Sequence, residues 1–475
     1  MTLSKSKKII LLSVAGIVAV MVFIALAPIL VNADAYKPRV QAAVSAELGM
    51  DVIIDGKLGI AFFPGLLLTM NDVHIRNQGK EIVLAKKVRL GLALLPLLRD
   101  EFRVNYISLM QPKITIELGA DGKYNFEEAR SAGATLPGVD LPKIFLSGAA
   151  LHYADKKSGG GFDAGDCSLD LRHLRLAEGS RDIVKAISFT ATLHCGQIQS
   201  GGYALTDLIL SANTKKGIFD FSSVSMGIFD GQGSGKLRAD YSDTVPVYQV
   251  DFSLPQFRIE KLLKTFSHES IVEGPMDFSM NLSLRGKTMQ ELKQNATGEA
   301  ALQGENLKLY GHDLDLEFSR FETSQTFNLV DAGALFFAGP VGLAVTKGYN
   351  FANVLKGAGG VSAIRTFVSH WKIDNGVMHA QDVAMATSKH RIAFQGGLDI
   401  SNARFADVTL ALVDSKGCAE VKQKISGPFE KPVVEQPSIF KALAGPAIKL
   451  LDKGRKLLPG GGCDVFYSGS VSPSG

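Results

Sequence analysis

Short runs of alternating apolar and polar residues, separated by turns rich in Gly, Asn and Asp, recur along the 475-residue chain from Met50 onwards. In an early example, the run over residues 66–75 is followed by Gln78, Gly79 and Lys80 and then by the apolar run over residues 82–94. Because side chains alternate between the two faces of a strand, this period predicts β-strands joined by tight turns. The 49 Gly residues fit a chain with many turns. We therefore predict a mainly β fold.

Few segments depart from the strand pattern. Residues 33–48 predict a short amphipathic helix, and residues 260–266 and 288–294 each predict a single short helix. Ser438 can cap a further helix over residues 439–457, which carries several basic side chains. We favour docking of this basic helix on the β-rich part of the chain; the alternative is that it lies on an anionic membrane surface.

An apolar segment covers residues 9–31 and is interrupted only by Ser13, Gly16 and Pro28. About 20 apolar residues are needed for a helix to span a bilayer, so this segment predicts a transmembrane helix. Lysines lie just before it and none follows closely, which predicts an N-terminus in the cytoplasm. The protein would then be a single-pass membrane protein with its bulk on the other side.

A cleaved signal peptide is the alternative interpretation of this segment. Ala33, Asp34 and Ala35 have the small-x-small pattern of a cleavage site. The apolar segment is longer than the 7–15 residues usual for a signal peptide, so we favour an uncleaved anchor. In both interpretations the rest of the chain is exported across the membrane.

The four cysteines form two pairs that are close in sequence, and an exported chain can form disulfides. Four cysteines allow three connectivities, and proximity favours Cys167 with Cys195 and Cys418 with Cys463. In the chain-entropy model such bridges contribute roughly 3–4 kcal/mol each. Zinc binding is the weaker alternative: His194 adjoins Cys195, but the chain has no C-x-x-C and no H-x-x-x-H spacing.

No pattern of residues predicts catalysis. The chain has no H-E-x-x-H and no G-x-x-x-x-G-K-[ST] motif, and its nine His are scattered. Residues 231–235 (GQGSG) superficially resemble a phosphate loop, but they open no helix and predict a hairpin turn. We predict no enzymatic activity, no cofactor, and no catalytic or metal-binding residues. The formal charge of +4 argues against nucleic acid as a partner.

Several strand runs follow the apolar segment in a recognisable order. They are residues 54–58 (IDGKL), 62–68 (FFPGLLL), 71–77 (NDVHIRN), 107–114 (ISLMQPKI) and 121–126 (DGKYNF). With the anchor and the short helix, this order resembles the opening module of the AsmA family, with Phe126 standing where Trp is common. Residues 298–315 and 371–405 are similar to the C-terminal module of that family.

The resemblance implies a protein of the envelope of a diderm bacterium, anchored in the inner membrane and with a periplasmic body. It implies an elongated, curled antiparallel sheet that forms a hydrophobic groove, and a role in outer-membrane biogenesis, with phospholipid transport between membranes as the specific function. Phospholipid, the inner membrane and other envelope proteins are the implied partners. The alternative function is a scaffold or assembly factor for outer-membrane proteins that holds no lipid.

This organisation predicts five parts, with a linker near residues 130–143. They are a cytoplasmic tail (1–8), a transmembrane helix (9–31), an N-terminal AsmA module (32–135), a central β region (136–290) and a C-terminal AsmA-like module with the basic helix (291–475). Alternating strands can line a groove with one apolar face. The candidate groove residues are Leu66, Leu68, Ile114, Ile116, Ile392 and Phe394. The alternative is that they pack inside an ordinary closed core.

Overall fold

A computed structural model of the chain describes residues 33–61, 65–93, 103–126, 138–180, 182–265, 272–311, 313–316, 318, 359–435, 438–439, 463 and 465–473. The predicted transmembrane helix and the tail before it lie outside these ranges. Within them, no helix has the length and apolar character needed to cross a membrane. The described residues form 22 β-strands and a few short helices, which confirms the prediction of a mainly β fold.

The chain divides into two compact units, residues 1–221 and residues 222–475. The division falls inside the predicted central region, and the five predicted parts remain predictions. In unit 1 the strands form a ladder in chain order, with β1 and β2 both paired to β3. These strands are β1 (Asp51–Ile54), β2 (Leu58–Ala61), β3 (Leu66–Asn77), β4 (Lys80–Leu92), β5 (Val104–Leu118), β6 (Val139–Asp155), β7 (Gly161–Leu176), β8 (Ile187–Ser200) and β9 (Tyr203–Lys215).

The ladder of unit 1 is antiparallel apart from one pair. Strands β5 and β6 are parallel, with Leu109 opposite Leu146. This is an exception to the antiparallel sheet that the sequence predicts. A parallel neighbour needs a connection long enough to return the chain to the starting end, and the stretch between β5 and β6 is longer than the hairpin turns elsewhere in this unit. Since β6 begins at Val139, residues 139–143 belong to a strand and not to the predicted linker.

The first edge of unit 1 is covered by helix α1 (Lys37–Leu48), which follows a 3-10 turn over Ala33–Tyr36. Both lie within the predicted amphipathic helix. Side chains from this segment accept hydrogen bonds from edge backbone groups: Ser45 Oγ from Val52 N at 2.9 Å, and Asp34 Oδ1 from Leu58 N at 2.9 Å. A free strand edge is a template for pairing with other chains, and here donors of that edge are already satisfied.

Unit 2 contains a second, antiparallel ladder, and strand β10 (Ile218–Ile228) lies across the unit boundary. The ladder runs in chain order with two exceptions. Strand β12 pairs with β14, and β13 and β14 both pair with β15. Strands β21 and β22 both pair with β20. Its strands are β11 (Gly231–Asp240), β12 (Val247–Arg258), β13 (Val272–Glu273), β14 (Pro275–Arg285), β15 (Thr297–Tyr310), β16 (Val361–Asp374), β17 (Val377–Ala386), β18 (Arg391–Asp399), β19 (Arg404–Val413), β20 (Ala419–Pro428), β21 (Val433–Val434) and β22 (Ser438–Ile439). No described pairing closes either ladder into a barrel.

Three short helices complete the described elements: α2 (Ile183–Ala186), α3 (Ile259–Leu263) and α4 (Met289–Gln294). Helices α3 and α4 correspond to the two short helices that the sequence predicts. Thr288 caps α4 by accepting a hydrogen bond from Glu291 N at 3.2 Å. The apolar side of α3 packs into the core of unit 2, which helps to close that core.

Two sequence predictions are wrong in unit 2. Gly231 to Gly235 open strand β11 instead of forming a turn, because Gly235 lets Phe252 of β12 approach closely: a Cβ there would lie 3.0 Å from Phe252 Cα. Ser438 and Ile439 do not begin a helix, because they pair as β22 with Lys422 and Val421 of β20. The rest of the predicted basic helix lies outside the described residues.

The C-terminal strap (residues 465–473) packs on the outer face of β16–β19. Its Phe466 and Tyr467 belong to a buried cluster with Ala384 and Ala393. Tyr467 Oη donates a hydrogen bond to Asp382 Oδ1 at 2.6 Å. Burial acts to raise the pKa of Asp382, but hydrogen bonds from Ser470 and Tyr467 outweigh it and hold the pKa below its usual value. Because of the strap, both faces of the sheet are covered by protein in this part of unit 2.

Both predicted disulfides are present, Cys167–Cys195 in unit 1 and Cys418–Cys463 in unit 2. The first joins directly opposed residues of β7 and β8. Both of its cysteines are buried, whereas Cys463 is exposed. Thiol–disulfide exchange requires access of the attacking thiolate to a sulfur atom.

We predict that a dithiol added to the native protein reduces Cys418–Cys463 long before Cys167–Cys195. Timed alkylation followed by peptide mapping would measure both rates. As a control, the two bridges should be reduced at similar rates in denaturant, where burial no longer protects either. Equal rates in the native protein would contradict the prediction.

Candidate functional site

The register of unit 1 places apolar side chains on one face of five neighbouring strands. A single row across the ladder consists of Leu109, Leu146, Leu169, Leu193 and Leu210, each directly opposite the next. Directly opposed residues lie on the same face of a sheet, so this row is continuous from β5 to β9.

Three further rows run beside the leucine row. They are Ile107–Ile144–Leu171–Ala191–Ala212, Ala149–Cys167–Cys195–Leu208 and Ile114–Leu151–Ala164–Ile198–Leu205. Many of these side chains form one packed cluster around the Cys167–Cys195 bridge. We call the four rows together, with Ile116, Tyr153, Phe162 and Phe189, the open face.

The opposite face of the same strands is mostly polar. One of its rows consists of Phe145, Asp170, Thr192 and Ser211, and another of Lys143, Arg172, Thr190 and Asn213. The hydrogen bond from Arg172, with help from Lys143, holds the pKa of Asp170 below its usual value. This sheet therefore separates a hydrated face from an apolar one.

The large side chains of the open face are only half-buried. Those that are fully buried are small: Ala149 is 3% exposed, Cys167 6% and Cys195 3%. The leucines and isoleucines around them keep part of their surface in contact with solvent. A face packed under a second layer of protein would bury its largest side chains most completely. The open face therefore lacks such a cover within the described residues.

A line of residues with positive φ crosses the strands of the open face. They are Gln111, Gly148, Asp166 and Asp207, and the directly opposed pairing is interrupted at each of them. The register shifts at this line only between β6 and β7, beside Ala149. The line passes beside Ala149, Cys167 and Cys195, so the small buried residues of the open face lie where the regular pairing of these strands is interrupted.

Helix α1 covers the start of this apolar surface. Val40 and Val44 of α1 pack on a cluster that includes Met70, Val73 and Ala85 of β3 and β4. Those strand residues are buried, in contrast to the leucines from β5 onwards. The surface is therefore closed at β3 and β4 and becomes open at β5.

One rim of the open face carries charged and aromatic groups. Tyr153, opposite Phe162, ends the apolar side of β6, and burial raises the pKa of its phenol, as does Asp155. Lys156 Nζ donates a hydrogen bond to Glu117 Oε2 at 2.8 Å, which holds the pKa of Glu117 below its usual value. No group of three or more His, Cys, Asp and Glu among the described residues is placed to hold a metal ion.

A family model described as the AsmA family matches residues 3–137 and 135–318, which is more than half of the chain. The chain belongs to the AsmA family. Comparisons with curated proteins and with solved structures give no match. Membership of the AsmA family supports a function in envelope and outer-membrane biogenesis. The matched residues include unit 1 from residue 3 onwards. The resemblance of residues 371–405 to the C-terminal module remains a prediction.

The candidate groove residues of this AsmA protein fall into two groups. Ile114 and Ile116 lie on the open face, and Leu66 and Leu68 lie half-buried on β3, where Leu68 packs beside the cluster under α1. Ile392 is 0% and Phe394 3% exposed, and both belong to the core of unit 2. The ring of Phe394 lies 5.2 Å from that of Trp371. Ile392 and Phe394 therefore fit the alternative in which the candidate residues pack inside a closed core.

Sequence reasoning missed most of the open face of this AsmA protein. Leu146, Leu169, Leu193 and Leu210 lie in runs that the alternation identified as strands. Alternation within a strand shows that one of its sides is apolar. It does not show which apolar sides of neighbouring strands align on one exposed face. The register was needed to align these leucines in one row.

Proposed function

We propose that this AsmA-family protein carries phospholipid between the inner and outer membranes by holding acyl chains on the open face of unit 1. The observation that carries the proposal is that the large apolar side chains of this face are half-buried while only the small ones are fully buried. An extended apolar surface left in contact with water marks a binding site. Acyl chains would cover it and leave the head groups in water.

The mechanism needs only burial of apolar surface. Each methylene taken out of water contributes about 0.8 kcal/mol. The rows of leucine and isoleucine continue across neighbouring strands, so a chain can slide from one strand to the next while exchanging similar contacts. The protein acts as a carrier without enzymatic activity, cofactor or nucleic acid.

The proposed location is the inner membrane, with the N-terminus in the cytoplasm, a single transmembrane helix and the bulk in the periplasm. The apolar segment over residues 9–31 and the lysines before it support this topology. The two disulfides fit an oxidising compartment. Other envelope proteins are expected to pass lipid to this chain or accept it.

A scaffold or assembly factor for outer-membrane proteins is the second candidate. Unit 2 supports it, because its largest apolar side chains are buried and the strap covers the outer face of β16–β19. The described part of unit 2 at β16–β19 thus offers a surface for binding another protein. Both functions fit the family-level role in envelope biogenesis.

Phospholipid bound to the full chain distinguishes the two candidates. We expect the protein, extracted in mild detergent and purified, to retain phospholipid at about one molecule or more per chain, measured by mass spectrometry of the extracted lipids. A membrane protein of similar size with an ordinary single anchor, purified in the same way, corrects for annular lipid. A lipid content equal to that control would contradict the carrier function and favour the scaffold.

A further inference from the structure

A depression lies on the polar side of unit 1, opposite the open face. It has a volume of about 420 Å³ and extends across strands β5 to β8. Ligand sites for small molecules commonly have volumes of about 300–1,000 Å³. We call it the polar depression, after the polar side chains that line it, which include Lys113, His152, Asp163, Asp166, Gln197 and Gln199.

The register of unit 1 brings these side chains to one face. One row, in which each residue lies directly opposite the next, is Thr115–His152–Asp163–Gln199. Lys113 lies two residues before Thr115 on β5, and Gln197 lies two residues before Gln199 on β8, so both share that face. The polar side chains listed above are all exposed. They therefore form one surface that a ligand can reach.

The floor of the polar depression consists of residues with little or no side chain. Ala150 of β6 lies opposite Lys113, and Gly165 of β7 lies opposite Gln197. A Cβ atom added to Gly165 would have no atom of another part of the chain within 4 Å. The space above the floor is therefore open, while longer polar side chains surround it.

The side chains around the floor can both donate and accept hydrogen bonds. His152 Nδ1 and Asp163 Oδ1 lie 2.7 Å apart, so these two side chains orient each other. The side-chain amides of Gln197 and Gln199 have no hydrogen-bond partner among the described residues. Each amide donates through its NH2 group and accepts through its oxygen, and the second carboxylate oxygen of Asp163 can accept as well.

The charges of the polar depression favour a neutral ligand. A cleft lined by one sign of charge attracts ligands of the opposite sign, but here Lys113 lies together with Asp163 and Asp166. No group of His, Cys, Asp and Glu in the described part of the chain is placed to hold a metal ion. Sugars carry neutral hydroxyl and acetamido groups, which donate and accept hydrogen bonds as the Gln amides do.

We propose that the polar depression binds a neutral glycan that carries hydroxyl and acetamido groups. Gln197 and Gln199 bond these groups from one side, and Lys113 and Asp163 from the others. Neighbouring strands are about 4.8 Å apart and residues two apart on a strand about 7 Å, so one or two sugar rings can meet several of these side chains at once. The glycan lies on the face away from the acyl chains, so this site is independent of the carrier function.

Calorimetric titration of the detergent-solubilised full chain with chitotetraose, an uncharged oligomer of N-acetylglucosamine, tests the site. We expect saturable binding to the parent, with less than about a twofold change in affinity between about 0.05 and 0.5 M salt, because salt screens charges. Gly165→Leu places a side chain in the open space above the floor and should weaken binding about tenfold or more. Thr190→Leu adds the same side chain to the polar face of β8 outside the depression, and it should keep the parental affinity.

A second variant tests the amides without filling the space. Gln197→Ala combined with Gln199→Ala should weaken chitotetraose binding by about 2- to 10-fold for each lost net hydrogen bond. Thr190→Ala is the matched control and should bind as the parent does. The two glutamines and Thr190 are exposed, so these variants should unfold near the temperature of the parent.

The glycan site and the carrier function fail in different ways. An absence of chitotetraose binding to the parent, parental affinity in either depression variant, or an equal loss in the Thr190 controls overturns the glycan site. If Gly165→Leu does not fold, the glutamine variant decides the question. Both folded depression variants should retain the phospholipid content of the parent. A low lipid content in a parent that binds chitotetraose would contradict the carrier function and leave the glycan site standing.

Discussion

Aspartate at both Leu146 and Leu193 is expected to reduce bound phospholipid at least tenfold while leaving both units folded. The two side chains lie on the open face and are half-buried, so each carboxylate stays hydrated in the lipid-free protein. An acyl chain lying over them would remove that water, and an unpaired buried charge costs several kcal/mol. A difference of 1.4 kcal/mol changes the affinity tenfold. The desolvation cost of two such charges is therefore larger than a tenfold loss of lipid requires.

Mass spectrometry of co-purified lipid measures this effect, and thermal unfolding reports the fold. The matched control places aspartate at Ser147 and Thr192, which lie on the polar face of the same two strands. That variant should retain the lipid content of the parent. Equal lipid in the parent, the open-face variant and the control would show that the open face does not hold lipid.

The second large effect is expected in unit 2, where Phe394→Ala should lower the free energy of unfolding by about 3–5 kcal/mol. Phe394 is 3% exposed and packs against Trp371, so the substitution leaves a cavity inside a filled core. Trp371 is the single Trp of the chain, and its fluorescence therefore reports the unfolding of this unit alone. Denaturant titration followed by that signal gives the free energy.

Ile114→Ala provides the comparison for Phe394→Ala. Its side chain is half-buried on the open face, and the expected cost is about 1–2 kcal/mol. The Trp371 signal should not register it, because Ile114 belongs to unit 1. A small cost for Phe394→Ala, similar to that of Ile114→Ala, would mean that Phe394 lies on an open surface too.

These two experiments correspond to the two interpretations that alternation left open. Ile114, Ile116, Ile392 and Phe394 have the same local pattern, an apolar residue at every second position of a strand. The structure places the first two on a half-exposed face and the last two in a closed core. The difference lies in what covers each strand, and alternation within a strand does not encode that.

Local chemistry explains the predictions that are confirmed. The strands, the short helix capped by Thr288 and the helix after residue 33 depend on neighbouring residues, as does the preference for disulfides between cysteines close in sequence. The errors come from longer range. The glycines of β11 have the composition of a turn, but in the fold they let Phe252 of β12 approach closely. Ser438 looked like a helix cap, but it pairs with Lys422.

The sequence by itself determined that this chain is mainly β, pairs its cysteines locally, carries an apolar segment long enough to span a bilayer and resembles the AsmA family. Each of these follows from residues near one another or from the order of short motifs. Only the tertiary structure decided that the apolar rows of β5–β9 align into one face that the described residues leave uncovered, and that those of β16–β19 are buried. Register and burial depend on contacts between residues far apart in the chain.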